Sequence, residues 1–390
     1  MPVRIDRSIW RQPTLLALGG LLALLLQACG GGDDGSGGGN TVATPVVDLC
    51  ASQVALRTSL LATNPLVAID DAAILQYGFD ATTAPGWLMQ PAISRVADVQ
   101  AANAGIFMLA DGFERAYDCI RIDGATRVDA PDGSRQSVRV DFSYRGTAHA
   151  AWAYGNLPGT CTGGSAALVI PGSGDNQGSA IVDRQPGNYH LGVLDALAGV
   201  GSSYVLIKPN EDALAWHNGQ GAKLSGNMIW NYHVNRGGSY SVSYLVQAMA
   251  FTKWMKSCFS RTVVAGLSQG GAAAMLTALQ AAPTAAVVAA GHSLLFDQLE
   301  YAGHSQLLSV PGYAALAKRD TLVSALGASP TRWLFAWGRA DSDVYKVESA
   351  TGYTAGAIDP LANVDISIHD GGHVFPVAAM QAFLQSALSP

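Results

Sequence analysis

From residue 166 to residue 290 the chain alternates between short, wholly apolar runs and longer segments whose apolar positions recur at helical spacing. A run of five or so apolar residues closed by Gly, Pro or polar residues has no polar face, so it suits a strand covered on both sides. Such strands are predicted at 166–170, 204–208, 262–267 and 285–290, with helices at 188–198, 241–257 and 269–282 between them. Farther on, 331–338 reads as another buried strand. Residues 364–370 alternate as a strand, and a helix initiated by Pro376 follows. Upstream, 113–122 and 137–144 alternate with period two, and the turn chemistry of Ala130-Pro131-Asp132-Gly133 between them predicts an antiparallel pair opening the sheet. The repeated strand-helix order implies an α/β fold with a mostly parallel central sheet and helices on both faces. Working groups in such sheets sit at the carboxyl ends of the strands. Residues 46–111 are patterned less clearly, with short helices expected near 47–61 and 93–109.

The amino terminus follows another rule. Arg4, Arg7 and Arg11 precede a Leu/Ala/Gly stretch at 15–26, too short to span a bilayer but of signal-peptide length. It ends in Leu26-Gln27-Ala28-Cys29, which resembles the lipobox of bacterial lipoproteins, whose cysteine is lipidated and becomes the first mature residue. The Gly, Ser and Asp residues that follow suit a flexible tether. The expected organisation is a leader ending at Cys29, a linker at 30–45, a mixed extension at 46–111 and one main domain at 112–390 with inserts at 210–238 and 293–330. Trp216, His217, Trp230, Tyr232, His233 and Arg236 in the first insert suit a pocket roof, as does the second insert, or they pack the insert onto the domain.

Composition narrows the functional classes. Of 390 residues 49% are hydrophobic and 13% charged, with a net charge of −6, which allows a large core and offers no basic surface for nucleic acid. The eight histidines are scattered and no H-E-x-x-H spacing occurs, so neither metal nor cofactor is expected. Without Cys29, the set Cys50, Cys119, Cys161 and Cys258 is even, as suits disulfides in an oxidising compartment, and three pairings are open.

The candidate chemistry lies in three loops after strands. Gly266-Leu267-Ser268-Gln269-Gly270 is the sole G-x-S-x-G match and joins a β-branched strand to an Ala-rich helix, the nucleophile-elbow context. Asp341 follows the strand at 331–338, with Asp343 as the alternative acid. His373 lies in a Gly-rich loop after the strand at 364–370, and His369 on that strand is the competing histidine. A serine hydroxyl needs a neutral imidazole to take its proton and a carboxylate to fix that imidazole's tautomer. Negative charge developing on the substrate oxygen then needs donors. Pro171-Gly172-Ser173-Gly174 supplies one candidate backbone amide, that of Ser173 with Gly174 as alternative, and Gln269 supplies the second.

From residue 137 onward these motifs resemble the α/β-hydrolase superfamily, in particular bacterial lipoprotein esterases. Pro171 departs from the pattern, standing where many members have His. The resemblance implies an α/β-hydrolase fold with cap-like inserts and a Ser268–His373–Asp341 triad. It implies a cofactor-free serine hydrolase acting on small or polymeric carboxylic esters, with a serine peptidase or a catalytically silent binding lipoprotein as alternatives. It also makes the strands after Cys161 and Cys258 parallel neighbours, which implies the pairings Cys161–Cys258 and Cys50–Cys119. A lipid on Cys29 implies membrane attachment in the cell envelope, and Gly30 after it implies the outer membrane.

Overall fold

The computed structural model describes residues 50, 115–129, 135–144, 147–161, 163–208, 211, 240–290, 319–341 and 354–389. They fall within one unit, Val47–Pro390. Its frame is a sheet of β1 (Ile120–Asp129), β2 (Gln136–Tyr144), β3 (Thr147–Tyr154), β4 (Ser165–Ile170), β5 (Ser202–Leu206), β6 (Arg261–Leu267), β7 (Ala285–Ala289), β8 (Arg332–Gly338) and β9 (Val364–His369). Spatially the order is β1-β2-β3-β5-β4-β6-β7-β8-β9. The first three strands form an antiparallel meander that joins β5 antiparallel, and every pair from β5 to β9 is parallel. This is an α/β arrangement with a mostly parallel sheet. The chain runs from β4 outward to β5 and then crosses to β6 on the other side of β4. The carboxyl ends of β4 and β6 therefore flank the switch point of the sheet, the position of the ligand crevice in sheets of this kind.

Eight helices among the described residues complete the layers: α1 (Arg115–Asp118), α2 (Gln177–Val182), α3 (Val193–Ala196), α4 (Tyr240–Cys258), α5 (Gln269–Ala281), α6 (Arg319–Ala328), α7 (Thr354–Ile358) and α8 (Val377–Ala387). Because side chains alternate across a strand, each central strand feeds two cores. Leu168, Ile170, Val264, Val288, Phe335 and Trp337 share one core with Leu245, Met249 and Phe251 of α4, and with Ala272 and Leu276 of α5. Val169, Ala265, Leu267, Val287 and Ala336 share the other with Ile181, Val193, Met380 and Phe383 of α2, α3 and α8. Each fully buried Val, Leu or Phe contributes about 1.5–3 kcal/mol, so double-sided burial is the main force holding the central strands.

Several boundaries differ from expectation. Residues 115–118, inside the strand expected at 113–122, instead form α1, and β1 starts only at Ile120. Of the helix expected at 188–198 only the short α3 forms, and α2 lies upstream where no helix was expected; Gly192, at φ 94°, places a left-handed residue inside the expected span, which a continuous helix does not accommodate. β3 lies where no strand was expected, because its Ala-rich sequence has low β-propensity and is held by pairing with β2. Residues 319–328 of the second expected insert are α6, which buries Leu322 and Leu326 in the core.

Cys161 and Cys258 are bridged with Cα atoms 4.3 Å apart, joining the segments that enter β4 and β6, and Cys50 is bridged to Cys119 with Cα atoms 5.4 Å apart. The leader with Cys29, the linker, the expected helices near 47–61 (Cys50 apart) and 93–109, the turn at 130–133, the insert at 210–238 (Glu211 apart) and Asp343 lie outside the described residues.

Candidate active site

Ser268 occupies the single residue between β6 and α5, with φ 64° and ψ −127°. A non-glycine residue there costs on the order of 1–3 kcal/mol and persists only when its surroundings hold it. They do so through the backbone. The Ser268 N–H donates to the Ala289 carbonyl at 2.9 Å, and its own carbonyl accepts from the Gly271 N–H at 2.9 Å. Its side chain makes no helix-capping hydrogen bond. The two glycines of the motif have a steric reason. A Cβ on Gly266 would overlap the Gly270 carbonyl oxygen, and one on Gly270 would overlap the Ile170 carbonyl oxygen at the end of β4. The elbow and the loop after β4 thus touch backbone to backbone. Gln269 opens α5, where a first-turn amide has no intrahelical acceptor and the helix dipole favours negative charge.

Asp341 and His373 are brought together by two loops zipped along their backbones. Arg339 N–H donates to the His369 carbonyl at 2.8 Å, and Ala340 N–H to the Gly371 carbonyl at 3.0 Å. Gly338 lies so close that an added Cβ would overlap the Gly371 and Gly372 carbonyls. The result is a hydrogen bond of 2.8 Å between His373 Nδ1 and Asp341 Oδ2. Asp341's side chain is 2% exposed and that of His373 24%, so the carboxylate is shielded while the imidazole reaches solvent. His369 is turned to a different task, accepting the Gly371 N–H on its Nδ1 at 3.2 Å, and burial lowers its pKa.

The loop after β4 is held by residues to which the sequence alone assigns no role. Gly172 N–H donates to His190 Nε2 at 2.8 Å, while His190 Nδ1 lies 3.0 Å from Asn188 Oδ1. This requires the neutral tautomer with its proton on Nδ1. Burial, reinforced by the nearby Lys208 and by His373, accordingly pushes His190 down to about 3. The Gly172 carbonyl accepts from Lys208 Nζ, which also donates to Gln269 Oε1 at 3.0 Å. Lys208 is fully buried, and that burial lowers its pKa to about 8 against the opposing pull of Glu211 and Asp175. Tyr189 donates its hydroxyl to the Ser173 carbonyl at 2.6 Å, and its ring centroid lies 5.4 Å from that of His373. The sequence held one signal for Lys208, a charged residue closing the apolar run Tyr204-Val205-Leu206-Ile207, and none for Tyr189 or His190.

Contacts link the three loops into one site. Gly172 is packed so closely that an added Cβ would lie 2.9 Å from the Leu267 carbonyl oxygen, next to Ser268, and would overlap the Tyr189 hydroxyl. Tyr189 in turn neighbours the His373 ring. Ser173 N–H has no hydrogen-bond acceptor among the described residues. Nor do those residues gather three His, Cys, Asp or Glu side chains in a metal-holding group. The carboxyl ends of β4, β6, β8 and β9 thus carry a backbone-clamped loop, a strained serine and a carboxylate-oriented imidazole.

Comparison with protein-family models found no match, and comparison with curated proteins found none. Among solved structures, the chain is similar to acetyl xylan esterase 1 from Thermoanaerobacterium (17% identity, TM-score 0.44, covering 76% of this chain and 99% of that one). It is also similar to an esterase of Pyrococcus furiosus (15%, 0.40, 68% and 93%) and to a puromycin-hydrolysing peptidase of Mycobacterium tuberculosis (13%, 0.39, 68% and 38%).

Proposed function

We propose that the protein is a serine hydrolase that cleaves carboxylic esters through an acyl-Ser268 intermediate. The observations that carry this reading are the strained elbow serine at the switch point and, at the ends of β8 and β9, a His373 held by buried Asp341. His373 Nε2 takes the Ser268 hydroxyl proton as the oxygen attacks the ester carbonyl carbon. Asp341 keeps the other ring proton on Nδ1 and stabilises the imidazolium. The tetrahedral oxyanion is received by the backbone N–H groups of Ser173 and Gln269. Collapse breaks the carbon–oxygen bond to the alcohol, which leaves with the proton from His373. Water, deprotonated by His373, then attacks the acyl-serine and releases the acid.

The substrate is a small or polymeric ester, and the sheet and elbow do not choose among acyl chains. In this reading the chain is attached to the cell envelope through a lipid on Cys29. Moving a Cys29→Ser variant from the membrane to the soluble fraction on cell lysis supports the anchor, and unchanged membrane association refutes it. The activity is tested with p-nitrophenyl acetate. Turnover that Ser268→Ala and His373→Ala each abolish without loss of folding supports the proposal, and turnover that survives Ser268→Ala refutes it.

A further inference from the structure

A buried ammonium is an expensive way to hold two loops together, since burial penalises the charge and hydrogen-bonded neutral groups would do the same work. Lys208 lies two residues beyond β5, with no exposed surface, and its Nζ reaches two groups outside its own segment: the Gly172 carbonyl and Gln269 Oε1. These are the residues whose neighbourhood supplies both proposed oxyanion donors. The Gly172 carbonyl and the Ser173 N–H belong to one peptide unit, and that unit is trans. In a trans peptide the C=O and N–H point in opposite directions. An ammonium that grips the carbonyl from the core side therefore turns the Ser173 N–H away from the core, toward the crevice. On the other side of the same residue, His190 Nε2 grips the Gly172 N–H at 2.8 Å, and Tyr189 grips the Ser173 carbonyl at 2.6 Å. Every other backbone polar group of Gly172 and Ser173 is thus engaged by a side chain, and the Ser173 N–H is the one left to face a ligand.

We propose that Lys208 is the positioning residue of the oxyanion hole, aiming the Ser173 N–H through the Gly172 carbonyl and steadying the start of α5 through the Gln269 side chain. This inference rests on the serine-hydrolase reading above. Lys208 does not touch the substrate; it acts through the loop after β4 and the first residue of α5. Its charge also lies behind the oxyanion, on the far side of the Gly172–Ser173 peptide, where it polarises that peptide and strengthens the N–H as a donor. The charge persists because Glu211 and Asp175 oppose the burial penalty, and Tyr244 lends a ring face 5.5 Å from Nζ. Glu211 is occupied as well, accepting the Gly178 N–H at 2.6 Å at the start of α2.

The test compares the full chain with its Lys208→Met, Lys208→Gln, Gln269→Leu and Ser268→Ala variants. The measurements are p-nitrophenyl acetate kinetics, inhibition by a short-chain alkyl trifluoromethyl ketone, and thermal unfolding. The ketone adds to the serine as a tetrahedral anion and so reads the oxyanion hole directly, whereas KM reads ground-state binding. Removing one oxyanion donor lowers kcat by about 10²–10³-fold, so a misaimed one is expected to cost on the order of 10²-fold in Lys208→Met. The expected result is that loss in kcat with KM within about threefold, and a matching rise in the ketone's inhibition constant. Lys208→Gln, which keeps a donor for the Gly172 carbonyl, regains part of both. If Lys208→Met does not fold, Gln269→Leu serves in its place, removing one Lys208 contact while leaving the Gln269 amide, with an expected loss of roughly tenfold in both readouts. A folded Lys208→Met with near wild-type kcat overturns the inference, and so does a loss of kcat without weaker ketone binding. If Ser268→Ala retains turnover, the hydrolase reading fails and takes this one with it. If Ser268→Ala is inactive and Lys208→Met is fully active, this inference alone fails.

Discussion

The close backbone contact between the elbow and the loop after β4 makes Gly270→Ala a sharp perturbation. The new Cβ would overlap the Ile170 carbonyl oxygen and lie 2.8 Å from both the carbonyl carbon and oxygen of Pro171. To reach ordinary contact the start of α5 must retreat from Pro171 by about 0.6 Å, and farther from Ile170. The colliding atoms are all backbone, and Ile170 is fixed by its pairing with Gly266 across β4 and β6, so no side chain can swing aside. Two effects oppose each other. Alanine favours a helix over glycine by about 1 kcal/mol, whereas overpacking typically costs about 1–3 kcal/mol. The collision wins because both strands on the crowded side are locked. With overpacking at the upper end of that range, the expected net loss is about 1–2 kcal/mol, a fall in Tm of roughly 1–3 °C for a chain of this size. Activity falls more steeply, because a shift of about 1 Å at reacting groups can cost on the order of 10²-fold in rate. Gly356→Ala in α7, where an added Cβ meets nothing within 4 Å, is the matched control and should be neutral or slightly stabilising. The assay is thermal unfolding by circular dichroism together with kcat on p-nitrophenyl acetate. A Gly270→Ala variant with the Tm and kcat of the unaltered protein would refute the argument that this contact sets the site.

Three further outcomes are expected. Asp341→Asn should lower kcat by on the order of 10³–10⁴-fold while Asp343→Asn changes it little, and the reverse ranking in steady-state kinetics would reassign the acid. His190 has a folded pKa of about 3 against an ordinary 6.5, so the unfolded chain takes up its proton first as the solution is acidified. Its contribution to stability is therefore complete above pH 6.5 and is lost as pH falls from 6.5 toward 3. The slope approaches about 1.4 kcal/mol per pH unit, and denaturant unfolding of His190→Gln, which keeps an acceptor for Gly172, should show a flatter acid limb. Replacing Cys161 and Cys258 together by Ser should cost about 4.7 kcal/mol by the chain-entropy argument, because the bridge closes a sequence separation of 97. It should leave kcat unchanged, since the bridge lies at the entry of β4 and β6, away from the crevice; a large loss of kcat in the folded variant would contradict that placement.

The central strands were legible because their chemistry admits one reading. A run such as Ala166-Ala-Leu-Val-Ile170 has no polar face, so it must be buried on both sides, and β4, β6, β7, β8 and β9 lie within two residues of their expected bounds. Ser268 stood out for a related reason, since a strand-to-helix junction too tight for side chains on either side of a serine leaves that serine nowhere to go but outward. The meander was less legible, because β3 is built from Thr147-Ala-His-Ala-Ala-Trp-Ala-Tyr154 and takes its conformation from β2. The segment between β4 and β5 failed for a conformational reason, as the apolar spacing near Leu191 to Leu197 suggests one helix and Gly192 breaks it. The clamp on the loop after β4 was invisible, since Lys208, His190 and Tyr189 matter through their partners Gly172 and Ser173, and such pairings exist only once the sheet brings β4 and β5 side by side.

The most direct test of the central claim is to treat the full chain, in mild detergent, with a fluorophosphonate probe and locate the adduct by peptide mass spectrometry, with Ser268→Ala and His373→Ala alongside. The account predicts a single phosphonylated serine, Ser268, with labelling lost in Ser268→Ala and slowed by orders of magnitude in His373→Ala. A folded protein that takes no label, or takes it at another serine, would contradict it.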